Sequence, residues 1–179
     1  MTKAQKGSQK IIYFSSFSTP IIGPVYIAKS ERGICRIAFS CKAEGDFISL
    51  LRKDKYLKIR RNDTLLAHEI SLLQEYFNGN QVVFDFPLDL DQGTPFQKKV
   101  WSKLQEIPYG KCQSYKWVAD QIGNYRAGRA VGLANKQNPV PPVVPCHRVI
   151  GSNGKLTGYA SGLQTKKHLL EMESKGYHT

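Results

Sequence analysis

The order of apolar and polar positions divides the chain into two unlike halves. Ile11 to Phe17, Gly23 to Lys29 and Ile34 to Phe39 read as strands, the last two joined by a Ser30-Glu31-Arg32-Gly33 turn, which predicts a hairpin. Along the third run Ile34, Arg36 and Ala38 alternate with Cys35, Ile37 and Phe39, placing Cys35 and Cys41 near a strand whose apolar face meets a core. Leu66, Ile70, Leu73 and Phe77 then recur at i, i+4, i+7 and i+11. This spacing predicts a helix from about residue 63 to 77 packed on the sheet, with Asn62 or Asp63 as N-cap and Gly79 just past its end. Between Phe84 and Gly93 turn and acidic residues break the pattern, so a domain boundary is expected there, with an N-terminal supporting domain over residues 1–91 and a C-terminal domain over 92–179.

The second half begins with a strong helix start. Thr94 can cap, Pro95 suits the first helical position, and Gln97 can close a capping box. Phe96, Val100, Leu104 and Ile107 form one apolar stripe, with Trp101 beside it, until Pro108-Tyr109-Gly110 stops the helix. A capped short helix from Ser114 to Gly123 and a second from Arg126 to Asn135 surround a tight Asn124-Tyr125 turn, the pattern of a helix-turn-helix. The second of these carries Ala127, Gly128, Ala130, Gly132 and Ala134, with Arg129 standing out. Such a surface fits either close helix packing or close approach to a DNA backbone, and its glycines each cost nearly 1 kcal/mol of helix propensity. Gln164 to Lys175 reads as a C-terminal helix, with Leu169, Leu170 and Met172 available for packing and Gly176 as its stop.

Charge sharpens the division. The chain of 179 residues has a formal net charge of +12. Residues 1–94 carry 13 basic and 10 acidic groups, whereas residues 95–179 carry 13 basic and 4 acidic. A basic half points to a polyanionic partner, nucleic acid above all, or else to a solvated face kept for solubility. Composition, at 41% hydrophobic and 22% charged, is that of a soluble globular protein. The first ten residues lack an apolar run and a cleavage site, and no stretch approaches the roughly 18 apolar residues of a membrane span, so a cytoplasmic protein with reduced thiols and no membrane partner is expected. The C-x5-C spacing of Cys35 and Cys41, with only His68 nearby, is a poor zinc pattern, and no metal is expected. Gly151 to Leu156 imitates a phosphate loop but has too few residues between its glycines and a leucine where a hydroxyl is required.

The chemistry gathers in Asn138-Pro-Val-Pro-Pro-Val-Val-Pro-Cys146-His147-Arg148-Val149. Its prolines exclude helix and predict an extended, stiff lead to Cys146. His147 and Arg148 are the groups that would lower the thiol pKa; on an extended backbone neighbours point to opposite sides, so Cys146 and His147 are expected to communicate through a water or a turn. Taken alone, the pair also fits a buried thiol beside a surface histidine.

The string Pro145-Cys146-His147-Arg148-Val149, with Asn138-Pro139 before it and Gly158-Tyr159-Ala160-Ser161-Gly162-Leu163 after it, resembles the O6-alkylguanine-DNA alkyltransferase family, of bacterial type. The resemblance runs from about Thr94 through Gly176, includes Ser114-Tyr115 and Arg129-Ala-Val-Gly132, and extends more loosely to Tyr26-Ile-Ala and Glu31-Arg-Gly33. It implies an α+β two-domain fold: an N-terminal α/β domain with a small antiparallel sheet, then a mostly helical domain with a winged helix-turn-helix. It further implies irreversible single-turnover transfer of an alkyl group from O6-alkylguanine, and from O4-alkylthymine, in double-stranded DNA to Cys146, by a monomer without cofactor. By the same resemblance Glu173 orients His147, which acts through water as the base for Cys146, Asn138 braces the turn, and Lys166 lies near the leaving group. Arg129 would be the finger that fills the gap left by the flipped base, and Tyr115 would rotate the 3′ phosphate and hydrogen-bond the guanine. Ser114, Arg126, Ala127 and Ala130 would accompany them on DNA, with the second helix in the minor groove. Val149, Tyr159, Ala160 and Ser161 would line the pocket. Alkyltransferase-like proteins that bind the lesion without transfer replace the cysteine, which is present here. A papain-like peptidase suits neither the adjacent histidine nor the basic half.

Overall fold

The computed structural model describes residues 11–39, 41–54 and 58–175. Strands β1 (Ile11–Thr19), β2 (Gly23–Ser30) and β3 (Gly33–Ala38) form an antiparallel meander, helix α1 (Glu44–Lys53) crosses the sheet, and β4 (Lys58–Arg61) joins it beside β1. The order is β3-β2-β1-β4. Because β4 arrives by a helical crossover it runs parallel to β1, Ile11 opposite Lys58 and Phe14 opposite Arg61, so the sheet is mixed where an antiparallel one was expected. Neither α1 nor β4 follows from the strand pattern: β4 is the charged run Lys-Ile-Arg-Arg, and α1 carries only Phe47 and Leu51 as fully buried apolar residues.

Each face of the sheet is covered. Ile12, Phe14, Tyr26 and Ala28 face α1, where the Phe47 ring stacks on Tyr26 at 5.2 Å between centroids. Val25, Ile27, Ile37 and Phe39 face α2 (Ala67–Phe77) and the C-terminal half. The simple alternation read along β3 fails at one point. A bulge pairs Ala28 with Arg36 and Lys29 with Ile34, leaving Cys35 as the extra residue; Cys35 therefore packs with Ala38 on the α1 side while Ile34 joins Ile37 on the other. Cys41 packs against the edge of the same α1-side cluster.

Helix α2 starts one turn later than its periodicity predicts. Asn62 does cap, accepting from the Leu65 amide at 3.0 Å, but it caps a turn that leads into the helix, and Asp63 instead accepts from Ser15 and Arg61. After Gly79 the chain runs along β3: the Ile34 amide donates to Pro87 O and the Asp89 amide to Ile34 O, both at 2.8 Å. At Gly33, with φ of +144°, a Cβ would overlap the Pro87 carbonyl, so only glycine permits this approach. The acidic residues of the connection are anchors. Asp89 is buried and accepts from Ser30 at 2.6 Å and from Arg32 at 3.0 Å; Asp91 pairs with Arg32 and Lys98.

The second half consists of α3 (Pro95–Leu104), β5 (Gln113–Ser114), α4 (Tyr115–Gln121), α5 (Gly128–Lys136), a 3-10 turn (Cys146–Arg148), β6 (Val149–Ile150) and α6 (Leu163–Lys175). The Thr94 capping box forms as predicted, and Trp101 Nε1 donates to Ala134 O at 2.9 Å, tying α3 to α5. β5 and β6 pair in parallel, Gln113 with Val149. Gly176, expected to stop α6, and the first ten residues lie outside the described residues. One apolar cluster runs from Val25 and Leu73 through Val100 and Val131 to Val149 and Cys146, so both halves share a core. No described helix is long and apolar enough to cross a membrane.

Candidate active site

The lead into Cys146 is folded, not extended. Val144 N returns to Val140 O at 3.1 Å and Cys146 N to Val144 O at 2.8 Å, because prolines that forbid helix also preset turn dihedrals. Asn138 holds this loop from inside. Its Oδ1 accepts from the Val140 amide at 3.0 Å, and its Nδ2 donates to Val144 O at 2.7 Å and to Cys146 Sγ at 3.1 Å.

The loop delivers Cys146 and His147 into a 3-10 turn that leaves the thiol 5% exposed and the imidazole fully buried. Burial pushes the thiol pKa up, while Asn138, the Lys166 charge and the Tyr159 hydroxyl favour the thiolate. That hydroxyl is itself buried and makes no hydrogen bond of normal geometry among the described residues. Lys166 is fully buried on α6; its ammonium donates to Val149 O at 2.6 Å and Thr157 O at 3.0 Å and faces the Tyr115 ring at 5.7 Å. Desolvation pulls its pKa down.

Behind the thiol lies a saturated carboxylate. Glu173 Oε1 accepts from His147 Nε2 at 2.8 Å, the Tyr76 hydroxyl at 2.7 Å and Arg148 at 3.0 Å; Oε2 accepts from Arg148 Nε at 2.9 Å and the Gly110 amide at 3.1 Å. Burial alone would raise its pKa, but His147 and Arg148 together hold it at about 2. The carboxylate is thus ionised and accepts only, which favours the proton on Nε2 of a neutral His147. Burial lowers the His147 pKa against the pull of Glu173, and Nδ1 has no hydrogen-bond partner among the described residues. A buried unpaired imidazole nitrogen beside a cysteine is a proton acceptor waiting for a donor. Arg148, read from sequence as a group acting on the thiol, instead clamps Glu173 and donates to Ile107 O at 2.7 Å.

On the side of Tyr115 and Tyr159 lies a cavity of about 440 Å³ that also touches Gly128, Gly132, Lys136 and Thr157, within the size range of small-molecule sites. The two glycines of α5 are not demanded by packing inside the chain, whereas Ala134 is buried against α3. A Cβ on Gly128 would meet nothing within 4 Å, and one on Gly132 would only touch the Tyr115 ring at 3.7 Å. Arg126, Arg129 and Ala130 are exposed and Ala127 half-buried, and neither arginine meets a carboxylate among the described residues. Ser114 is occupied as the N-cap of α4, accepting from the Trp117 amide at 2.9 Å. Val149 is buried in β6 and contributes its carbonyl to Lys166; Ser161 O accepts from Thr165, and Ala160 is exposed in the adjoining turn.

The structure thus brings together Cys146, Asn138, His147, Glu173, Lys166, Tyr115 and Tyr159, and keeps Arg126, Arg129 and Ala130 on an outer face. Sequence reasoning missed Tyr76, the Gly110 amide and the clamp role of Arg148. The one available signal was a hydroxyl-bearing aromatic three positions after Leu73, on the apolar face of α2.

Residues 12–90 match the ribonuclease-like domain of 6-O-methylguanine DNA methyltransferase, and residues 95–175 match its DNA binding domain. The methylated-DNA--protein-cysteine methyltransferase of Methanosarcina acetivorans is 42% identical over 166 residues, covering 90% of this chain and 98% of its own. The constitutive enzyme of that name from Bacillus subtilis is likewise 42% identical, over 92% of this chain and 97% of its own. Mycobacterium tuberculosis OGT, in a crystal structure with DNA, superposes with a TM-score of 0.79 at 38% identity, covering 92% of this chain and 94% of that one. The chain belongs to the 6-O-methylguanine DNA methyltransferase family.

Proposed function

We propose that this protein repairs DNA by moving the alkyl group of O6-alkylguanine onto Cys146, once per molecule. The observation that carries this reading is a buried thiol held by Asn138 and backed by an imidazole with a free Nδ1 and an ionised Glu173, with a nucleobase-sized cavity on the side of Tyr115 and Tyr159. The thiol proton passes through a water to His147 Nδ1, and Glu173 stabilises the imidazolium. The thiolate attacks the alkyl carbon as the carbon–oxygen bond breaks. The electron pair stays on the base, which takes up the proton and returns to guanine, leaving a thioether that has no easy leaving path. Lys166 and Tyr159 lie beside the thiol, where charge shifts from sulfur to oxygen. A polarizable sulfur suits attack at saturated carbon, and the step needs neither metal nor cofactor.

The alkylated base reaches the cavity by leaving the duplex, at a cost of a few kcal/mol. Helices α4 and α5 act as a helix-turn-helix, with β5–β6 and the loop after it as wing. The exposed Arg129 fills the gap in the stack, and Tyr115 at the cavity mouth meets the flipped nucleotide and its phosphate. Arg126, Ala127 and Ala130 lie against the minor groove, where the glycines of α5 allow close approach. Val149, Tyr159, Ala160 and Ser161 border the base. Residues 1–91 support and residues 92–179 bind and react, a division in keeping with the two matched segments. The protein works as a monomer in the cytoplasm and takes O4-alkylthymine by the same chemistry.

The test is intact-protein mass spectrometry with peptide mapping after incubation with a duplex carrying one O6-methylguanine. A stoichiometric gain of about 14 Da on Cys146, abolished in Cys146→Ala with DNA binding kept, is expected of an activated thiolate. Lesion-selective binding without mass gain would make it a recognition protein, and transfer to Cys35, Cys41 or Cys112 would refute the assignment.

A further inference from the structure

We infer that Tyr76, on the helix of the half that lacks the nucleophile, is a positioning residue that fixes the tautomer of His147. The inference rests on the transfer chemistry above. Tyr76 is 1% exposed, and its ring is held edge-on by Phe77 at 5.4 Å and Tyr109 at 6.3 Å between centroids. Its hydroxyl has one proton to give. Glu173 Oε1, at 2.7 Å, is ionised and only accepts, so the proton points there. The phenolic oxygen, 3.2 Å from His147 Nε2, then turns a lone pair toward that nitrogen. Nε2 therefore faces two acceptors, the carboxylate at 2.8 Å and the phenol.

Only a protonated Nε2 satisfies both. In the other neutral tautomer the Nε2 lone pair would oppose two oxygens in a dry interior, and rotating the phenolic proton to Nε2 would set a bare phenol oxygen against the carboxylate. Tyr76 and Glu173 thus enforce one state from two directions, with Nδ1 unprotonated and ready for the thiol proton. Burial and the Glu173 charge push the Tyr76 pKa well up, so the hydroxyl keeps its proton throughout. The N-terminal half then contributes to the reaction centre itself, beyond supporting the other half.

The test uses the full chain with Tyr76→Phe, which removes one oxygen and keeps the ring. Three quantities are measured: the single-turnover rate of methyl transfer from a methylated duplex, the affinity for that duplex, and the ¹⁵N shifts of His147 in the unreacted protein. The expected result is a transfer rate lower by about tenfold, the scale of one hydrogen bond to a charged group, with affinity within about twofold. In wild type the ¹⁵N shifts should show the Nε2–H form, and in the variant a mixture of tautomers. A merely structural tyrosine would leave the tautomer unmoved. Wild-type protein showing the Nδ1–H form, or a variant with wild-type rate and shifts, would overturn the inference while leaving the transferase reading intact. Wild-type protein that gains no methyl group would overturn both.

Discussion

Replacing Glu173 with glutamine should unsettle the protein as well as its chemistry. Five hydrogen bonds from four groups converge on this carboxylate, and all of them donate. A glutamine offers one acceptor and one amide that must itself donate, so at least one contact becomes donor against donor. The Arg148 side chain, 11% exposed, is left with its charge beside a neutral group. Breaking a buried pair in this way costs about 3–5 kcal/mol. The pKa of Glu173 gives a second route: depression from 4.5 to about 2 corresponds to about 3 kcal/mol of stability. For a chain of this length that is a fall in Tm of roughly 6 to 20 °C. The sign of the pH dependence follows from the depressed pKa. The contribution is complete above about pH 4.5 and is lost as the pH falls toward 2, so the gap between wild type and E173Q should narrow over that range. Denaturant unfolding of both proteins at pH 7, 5 and 3.5 measures it. A variant within about 1 kcal/mol of wild type at pH 7, or a gap that stays constant with pH, would refute the reasoning.

Two further changes probe the loop and helix α5. Asn138→Ala removes the side-chain donor to Cys146 Sγ and should raise the thiol pKa further, read from the pH dependence of iodoacetamide alkylation; an unmoved midpoint would show that Asn138 does not favour the thiolate. Asn135 on α5 is 7% exposed, and neither its Oδ1 nor its Nδ2 has a partner among the described residues, so Asn135→Leu, which keeps the branched shape, should stabilise by about 1–3 kcal/mol in denaturant unfolding, whereas a loss of that size would mean the carboxamide is satisfied in solution.

The parts legible in sequence were those fixed by local chemistry. The Thr94 capping box and the Ser114 cap depend on residues within one turn and formed as read, and the α3 stripe is buried at Val100, Leu104 and Ile107, although the helix ends at Leu104 and not at Pro108. The alkyltransferase resemblance singled out Cys146, His147, Asn138 and Glu173, and the structure brings them together from two segments and α6. What escaped was non-local. Strand β4 is held by pairing with β1, not by its own Lys-Ile-Arg-Arg pattern. Tyr76 joins the site across 71 residues of sequence from His147, and no periodicity reports such a meeting.

The bulge at Cys35 has a consequence for how the molecule tolerates change. One supernumerary residue in a six-residue edge strand acts as a phase shifter: Ile34 faces the same side as Ile37, three positions on, where an unbroken strand would set them on opposite sides. Deleting that residue would mend the ladder with Ile34 still opposite Lys29 and Arg36 still opposite Ala28. The loss would fall on the layer toward α1, where Cys35 packs with Ala38, Phe47 and Leu51, while the backbone tether from Ile34 to Pro87 and Asp89, about 50 residues away in sequence, would hold.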